Sequence, residues 1–370
     1  MRFGFIIVFS IVISLITLSI WRGTQSLPPQ SLWRTSYVSA CIGMFVLFLV
    51  GMIFGHKMPT EVAKLISFVG NSYVIIFVYL SISLLLLDAI LAINHFVKFA
   101  PQGMTDFRFW WMMVSFALIG VVMAIGNYNF NHPKTVFLSI QSEKPLQKKT
   151  IRIVAVSDLH LGFSIDKKRL KEFVAMINAE KPDLVLMAGD IADRSIEPII
   201  RQNMKEELMS ILAPMGVYAI NGNHELYAEN PDAVGNYLRE SGITFLKDSV
   251  ALVNHSFYIV GRDDASNRLR KPLSELVKNL SPELPVILLD HQPHHLEEAE
   301  ANNVDLQISG HTHEGQFFPG NLLVKRMFEV GHGHFRKEKT HYYVSSGLGI
   351  WGPQYRIGTQ SEMVVIDFWY

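Results

Sequence analysis

The sequence predicts an all-α transmembrane region of four helices over residues 1–126, a linker at 127–150, and an α/β domain over residues 151–370. Hydrophobic residues make up 49% of the 370 residues, and the excess lies in the first third. That third contains four uncharged runs, each close to the ~20 residues that a helix needs to cross a bilayer core. The rest of the chain alternates short apolar runs with helical periodicity, which is typical of an α/β domain.

The four apolar runs lack the polar stripe that buried helices of a soluble bundle usually carry. They are Phe3–Trp21, Tyr37–Gly55, Leu65–Leu87 and Phe109–Gly126. The first run exceeds the ~7–15 apolar residues of a signal peptide, and no small-x-small cleavage site follows, so we expect a retained helix. An integral, multi-pass membrane protein is therefore predicted. Four spans place the N-terminus and the α/β domain on one side, and Lys144, Lys148 and Lys149 favour the cytoplasmic side.

Charge and cysteine content exclude several classes of protein. The 33 basic residues balance 33 acidic ones, so no nucleic-acid partner is indicated. The single cysteine, Cys41, excludes a disulfide framework and a thiolate metal cluster. The polar stretch 127–150, which contains Pro133, Pro145 and a Lys-Lys pair, marks the boundary between the two regions.

The α/β domain is predicted to contain eight strands and five helices. The strands are Ile151–Ser157, Leu184–Ala188, Val217–Asn221, Ala251–Gly261, Val286–Leu289, Leu306–Ser309, Tyr342–Ser346 and Met363–Phe368. The helices are Lys167–Glu180, Pro198–Ala213, Pro231–Ser241, Pro272–Leu280 and His295–Asn302. We therefore expect helices to cover much of the sheet.

Polar side chains follow five of the predicted strands. They are Asp158, His160, Asp190, Asn223, His224, His291, His311 and His313. A single histidine is more often a core or surface residue than a ligand. Because sites assemble at the carboxyl ends of strands in α/β sheets, however, separate strands would deliver this whole set to one place.

Five sequence blocks carry a family resemblance. They are Ser157-Asp-Leu-His-Leu-Gly162, Gly189-Asp190, Gly222-Asn-His-Glu225, Asp290-His291 and Gly310-His-Thr-His313. The set resembles the calcineurin-like metallophosphoesterases, which implies their four-layer αββα sandwich. Asp290-His-Gln-Pro293 and the tail from Ser346 to Glu362 are similar to the membrane-associated branch of YkuE-like and YaeI-like phosphodiesterases. Relatives usually run Gly-His-Thr-His-Gly-Gly-Gln, whereas this chain has Glu314 after His313.

The resemblance also implies a cofactor of two divalent metal ions. One would be held by Asp158, His160, Asp190 and His313, and the other by Asp190, Asn223, His291 and His311, with Asp190 as the bridge. Two cations ~3.5–4 Å apart offset the charge of a phosphate and lower the pKa of a bound water. The mixture of imidazole and oxygen ligands favours Mn, Fe or Zn over Mg.

Two further residues are candidates for contact with substrate. His224 matches the family residue that points at the phosphate, where it would stabilise charge or protonate the leaving oxygen. Its alternative is a helix-start residue that contacts backbone. Arg194, four residues after Asp190, could bind a phosphate oxygen with its fork of donors, or it could be a surface arginine.

The predicted function is a membrane-anchored phosphohydrolase that acts on phosphomonoester, phosphodiester or pyrophosphate bonds. The alternative is a catalytically silent docking or receptor protein, but such proteins typically lose a ligand or the Asn-His pair, and this chain retains both. The prediction of substrate choice depends on the segment 317–328. This segment is predicted to be irregular, and it contains six large apolar residues together with Lys325 and Arg326. The segment either fills the core beneath a loop or forms a rim that accepts a lipid-linked substrate.

Overall fold

The computed structural model describes residues 2–29, 32–99, 105–193 and 195–370. The chain divides into two compact units, Met1–Ile125 with Gly352–Gln354, and Gly126–Trp351 with Tyr355–Tyr370. The N-terminal helices and the C-terminal α/β domain that the sequence predicts are both present.

Helices form at all four apolar runs. They are α1 (Arg2–Gln25), α2 (Leu32–Phe54), α3 (Thr60–Val97) and α4 (Thr105–Asn131), with a short 3-10 turn at Gly55–Lys57. Among the described residues, α2, α3 and α4 are long and apolar enough to cross a membrane. Since the side chains at positions 2–9, 11 and 12 of α1 lie outside the described set, the count of four spans stays a prediction.

Polar contacts connect the helices of the first unit. The hydroxyls of Ser19 and Ser81 lie 2.7 Å apart, and Ser83 and Ser115 make a similar pair across α3 and α4 at 2.6 Å. The guanidinium of Arg22 meets the carboxylate of Asp88 at 2.8 Å. Hydrogen-bonded serines and a paired carboxylate are typical of helices that pack in lipid, where an unpaired polar group is costly.

The second unit is built from two six-stranded sheets. In chain order its strands are β1 (Lys134–Gln141), β2 (Thr150–Val156), β3 (Leu184–Met187), β4 (Val217–Ala219), β5 (Thr244–Phe245), β6 (Ser249–Val253), β7 (Phe257–Gly261), β8 (Val286–Leu289), β9 (Leu306–Ser309), β10 (Gly333–Lys337), β11 (Thr340–Val344) and β12 (Glu362–Trp369). One sheet has the order β1-β12-β2-β3-β4-β5 and the other β10-β11-β9-β8-β7-β6. Strands β2 to β5 run parallel to one another, as do β7, β8, β9 and β11.

Helices cover the outer faces of both sheets. They are α5 (Lys167–Ala179), α6 (Glu197–Arg201), α7 (Lys205–Met209), α9 (Asp232–Glu240), α10 (Leu273–Val277) and α11 (Leu296–Ala301). Two further helices, α8 (Asn223–Leu226) and α12 (Gly320–Met327), contribute no residue to the core clusters. One buried cluster joins inward residues of both sheets, such as Ile153 and Ile287. A second cluster places Phe173 of α5 against the first sheet, and a third places Leu296 of α11 against the other. These three cores confirm the four-layer αββα sandwich.

Several local predictions are wrong. The segment predicted as a connector contains β1, which pairs in parallel with β12 through eight registered positions. The predicted helix Pro198–Ala213 is two short helices, α6 and α7, and the predicted strand Ala251–Gly261 is the hairpin β6–β7. That hairpin turns at Asn254 and His255, both in the left-handed backbone region that turn residues adopt.

The segment after the last histidine block also differs from expectation. It contains the regular helix α12, in which no residue is buried. The side chains of Leu322, Leu323 and Met327 are 53%, 63% and 71% exposed. The core-filling interpretation of these side chains is therefore wrong, since they face away from the interior of the domain.

Candidate metal centre

All seven predicted ligands are described, and they meet at the carboxyl ends of the strands. Three overlapping groups place their ligand atoms within 4.8 Å of one another: Asp158, His160 and His313; His160, Asp190 and His224; and Asp190, His291 and His311. Asp190 follows β3 and is shared between two groups. Its Oδ2 lies 3.2 Å from Nε2 of His291 and 3.8 Å from Nε2 of His160. One carboxylate oxygen therefore faces both predicted metal positions.

The first position lies between β2 and the loop after β9. Nε2 of His313 is 3.5 Å from Oδ1 of Asp158, and Nε2 of His160 is 3.2 Å from Nε2 of His313. Two ring nitrogens that face each other at this distance either share one proton or both direct lone pairs at a cation. The carboxylate beside them supplies the negative charge that a divalent cation needs.

The second position is formed by residues after β4, β8 and β9. Nδ1 of His291 lies 2.7 Å from the carbonyl oxygen of Ala188, so that nitrogen carries the hydrogen. The opposite nitrogen, Nε2, is buried and faces Oδ2 of Asp190 at 3.2 Å without a well-aligned hydrogen bond. Nδ1 of His311 lies 2.7 Å from Oδ1 of Asn223. An imidazole whose Nε2 is oriented toward a carboxylate, next to an amide oxygen, fits a bound metal ion.

The backbone around the ligands is unusually constrained. Five of them have positive φ: Asp158 (53°), His160 (47°), Asp190 (51°), His311 (72°) and His313 (50°). Such conformations cost energy in non-glycine residues and accumulate at functional sites. Two glycines permit the close approach: a Cβ at Gly222 would lie 2.1 Å from Oδ1 of Asp190, and one at Gly310 2.3 Å from Oδ2 of Asp158.

Burial keeps most of the imidazoles neutral. It lowers the pKa of His160 to about 3 and that of His311 to about 4, so both rings offer a lone pair at neutral pH. Burial also lowers the pKa of His291, but the Asp190 carboxylate outweighs it and raises the pKa well above its usual value. The charge of Asp190 thus favours a positive charge at Nε2 of His291, where the ligand assignment puts a cation.

His224 contacts an aspartate that the sequence analysis missed. Its Nδ1 is 3.6 Å from Oδ1 of Asp193, its ring centroid is 4.6 Å from that of His160, and its backbone N–H donates to Oδ1 of Asp190 at 2.9 Å. Burial lowers the pKa of His224, but Asp193 and Asp190 raise it by more, so the net shift is upward. The spacing Asp190-x-x-Asp193 was the available signal. Arg194, the predicted phosphate contact, lies outside the described residues.

Glu225 connects the two central ligand loops. Its buried carboxylate accepts hydrogen bonds from the backbone N–H groups of Asp190 (3.1 Å), Ala192 (2.8 Å) and Gly222 (2.7 Å). Burial, with the nearby Asp190 charge, raises the pKa of Glu225 to about 7. Because it fixes the turn after β3 to the start of α8, Glu225 positions the carboxylate of Asp190, which is the predicted bridge.

Arg356 fixes the loop that carries His313. Its fully buried guanidinium donates to the carbonyl oxygens of His313 (2.9 Å), Ser346 (2.6 Å) and Gly349 (2.9 Å). Burial lowers the pKa of Arg356 to about 10, so the group remains charged at neutral pH. The residue therefore joins the loop of His313 to the loop after β11.

Glu314 is the residue that departs from the usual family sequence. Its carboxylate points toward His332, which is not one of the predicted metal ligands. Its Oε1 lies 3.5 Å from Nδ1 of His332, and Nε2 of His332 lies 3.1 Å from both carboxylate oxygens of the buried Glu362. The backbone around Glu314 is further linked to this loop, since the hydroxyl of Thr312 donates to the carbonyl of Gly331 at 2.6 Å. Glu314 thus helps to hold the segment that follows α12.

Comparison with known proteins identifies the family. The model of the calcineurin-like phosphoesterase family matches residues 151–315. An uncharacterized metallophosphoesterase from Aquifex aeolicus is 30% identical over 258 residues, which covers 66% of this chain and 97% of that protein. The chain belongs to the calcineurin-like metallophosphoesterases. The uncharacterized metallophosphoesterase YkuE from Bacillus subtilis is 31% identical over 223 residues, 58% of this chain and 77% of that protein.

Another relative combines the domain with a membrane region. A transmembrane protein with a metallophosphoesterase domain from Danio rerio is 33% identical over 250 residues, 63% of this chain. The match spans 57% of that protein's own length. Together with three apolar helices, this similarity associates the metallophosphoesterase with a membrane. Proteins of this family use divalent metals, and the Asp and His clusters described above could hold them.

Proposed function

We propose that this metallophosphoesterase hydrolyses phosphate ester or pyrophosphate bonds with two divalent metal ions. The observation that carries the proposal is the shared Oδ2 of Asp190, which faces imidazole nitrogens of both ligand groups. Asp158, His160, Asp190 and His313 would hold one ion, and Asp190, Asn223, His291 and His311 the other. When bound, the pair supplies charge neutralisation at the phosphate and an activated water. Mn, Fe or Zn suits the nitrogen-rich donors better than Mg.

The protein's own groups supply proton transfer and alignment. His224, whose pKa is raised by Asp193 against the effect of burial, would donate a proton to the leaving oxygen. Glu225 and Arg356 hold the backbone of Asp190 and His313, so the ligands need little reorganisation. Arg194 remains a proposed contact to a phosphate oxygen. The presence of the ligands together with the His224–Asp193 pair favours an enzyme over a silent docking protein.

The test is the substitution Asp190→Asn. Because it removes the charged oxygen that serves both positions, we expect hydrolysis of a small chromogenic phosphodiester to fall by at least about 10³-fold, with metal content reduced. A matched control, Asp232→Asn on the exposed start of α9, should retain wild-type turnover. Wild-type turnover with full metal content in Asp190→Asn would refute the proposal.

We further propose that the substrates are amphiphilic, such as nucleotide-linked lipids. Support comes from α12, which begins seven residues after the ligand His313 and exposes Leu322, Leu323 and Met327 beside Lys325 and Arg326. An exposed apolar surface next to basic side chains suits an acyl chain with an anionic headgroup. The multi-pass topology, with the catalytic domain on the cytoplasmic side, is likewise proposed from the lysines at 144, 148 and 149.

A further inference from the structure

Two large aromatic side chains border His224 and remain exposed. The ring centroid of Tyr227 lies 6.2 Å from that of His224, and the ring centroid of Trp351 lies 6.0 Å from that of His224. Tyr227 is 60% exposed and Trp351 is 44% exposed. Neither ring is among the predicted ligands, and neither contributes to the core clusters of the sandwich.

Both rings are presented from well-defined backbone. Tyr227 ends the short helix α8 three residues after His224, a spacing that places both side chains on one helix face. Trp351 follows a buried loop, in which the N–H of Leu348 donates to the carbonyl of Ser157 at 3.0 Å. The carbonyl of Trp351 itself accepts from Nε2 of Gln316 at 2.9 Å. The exposure of these rings is thus built into the fold, since the residues that carry them are anchored.

Exposed aromatic faces beside a catalytic residue have a definite chemical use. Planar rings stack on them with a gain in binding free energy that is largely independent of which ring stacks, because every base or aromatic group has a π-face. In the proposed mechanism His224 protonates the leaving oxygen, so the group attached to that oxygen lies on the side of Tyr227 and Trp351. A phosphate ester whose leaving group carries a planar ring would meet both aromatic side chains.

We propose that Tyr227 and Trp351 form a leaving-group subsite that binds a planar ring, such as a nucleobase. The proposal rests on the proposed function, because it assigns His224 to the leaving-group side of the phosphate. The subsite would select the leaving group of the substrate. The proposed role of α12, in contrast, is to contact an acyl chain.

Two phosphate esters test the subsite directly. Adenosine 5′-phosphate and ribose 5-phosphate share the phosphate and the sugar and differ in the base. Both are titrated as inhibitors of the metal-loaded, full-length enzyme during hydrolysis of a small chromogenic phosphodiester. We expect the inhibition constant of adenosine 5′-phosphate to be lower by about ten-fold or more, as expected for stacking of one base.

Substitutions assign the effect to the two rings. Tyr227→Leu and Trp351→Leu should each reduce the preference for adenosine 5′-phosphate several-fold and leave inhibition by ribose 5-phosphate unchanged. The control Phe137→Leu removes an exposed aromatic ring from β1 and should keep the wild-type preference. Equal inhibition by the two esters in the wild type, or a preference that survives both substitutions, overturns the subsite. A wild-type protein with bound metal and no hydrolysis of the reporter would instead reject the proposed function.

Discussion

At the scale of single residues, the site separates the proposed metal ligands from the groups that hold them in place. The candidate ligands could be named from the sequence because aspartate, histidine and asparagine at strand ends carry the chemistry in their own side chains. Asp193, Glu225 and Arg356 were not assigned roles, because they act on backbone N–H and carbonyl groups or on another side chain. Such contacts exist only once distant loops have come together, so the sequence offers little sign of them.

The Asp193–His224 pair leads to a prediction about pH. Asp193 raises the pKa of His224, and a proton donor loses activity as the pH rises through its pKa. Asp193→Asn should therefore lower the pKa of His224 and move the alkaline limb of the kcat/KM profile to lower pH. Turnover at neutral pH should fall by roughly ten-fold or more, with metal content unchanged.

The measurement is the pH dependence of kcat/KM for wild type and variant, with metal content determined on the same samples. Asp232→Asn, whose exposed carboxylate is bound to Lys247 at 2.9 Å, is a control that should leave the profile in place. An unchanged alkaline limb in Asp193→Asn would show that this carboxylate does not act through His224.

At the scale of elements, strands were predicted better than the segments between them. The buried runs at β3 and β8 are continuous apolar stretches, which is how parallel strands with both faces covered appear in a sequence. Strand β1 was missed because it lies between prolines and lysines, although Val136, Leu138 and Ile140 alternate along it. Helix α12 was missed because the Pro319-Gly320 turn signal at its start indicated irregular structure.

The exposed face of α12 leads to a prediction about substrate. If Leu323 and Met327 contact an acyl chain, Leu323→Ser with Met327→Ser should lower kcat/KM for a nucleotide-linked diacyl lipid by about ten-fold or more. Hydrolysis of a small chromogenic diester should be unaffected, since neither side chain belongs to the ligand groups.

The matched control is the pair Met209→Ser and Leu212→Ser; both residues are also exposed, and Met209 is the last residue of α7 while Leu212 follows that helix. This pair should leave both activities at the wild-type level. Equal losses on lipid and chromogenic substrates in the α12 variant would indicate a general disturbance of the site and contradict the lipid proposal.

At the scale of the whole molecule, the sequence predicted N-terminal helices and a C-terminal αββα domain. The excess of apolar residues in one third of the chain indicated the helices, whereas the αββα sandwich was implied by the family resemblance of the five sequence blocks. The proposed cytoplasmic position of the domain depends on a few lysines. Since Cys41 is the single cysteine, a Cys41→Ser background allows single-cysteine labelling.

Topology can then be read from two positions. Lys339→Cys, at an exposed site of the catalytic domain, should resist a membrane-impermeant maleimide in intact cells and react after permeabilisation. Trp33→Cys, at the exposed start of α2, should react in intact cells, because four spans put it at the opposite interface. Labelling of Lys339→Cys in intact cells would reverse the orientation.

The central claim is that two divalent ions in this site drive hydrolysis of a phosphate ester. The most direct measurement is metal titration of the chelator-treated, full-length protein, with bound metal and hydrolysis of a chromogenic phosphodiester recorded at each step. We predict binding of about two ions per chain and turnover that is absent without metal and restored by Mn²⁺. A folded protein that binds no divalent ion, or that binds its full complement and hydrolyses none of the phosphate esters and pyrophosphates offered, would contradict the account.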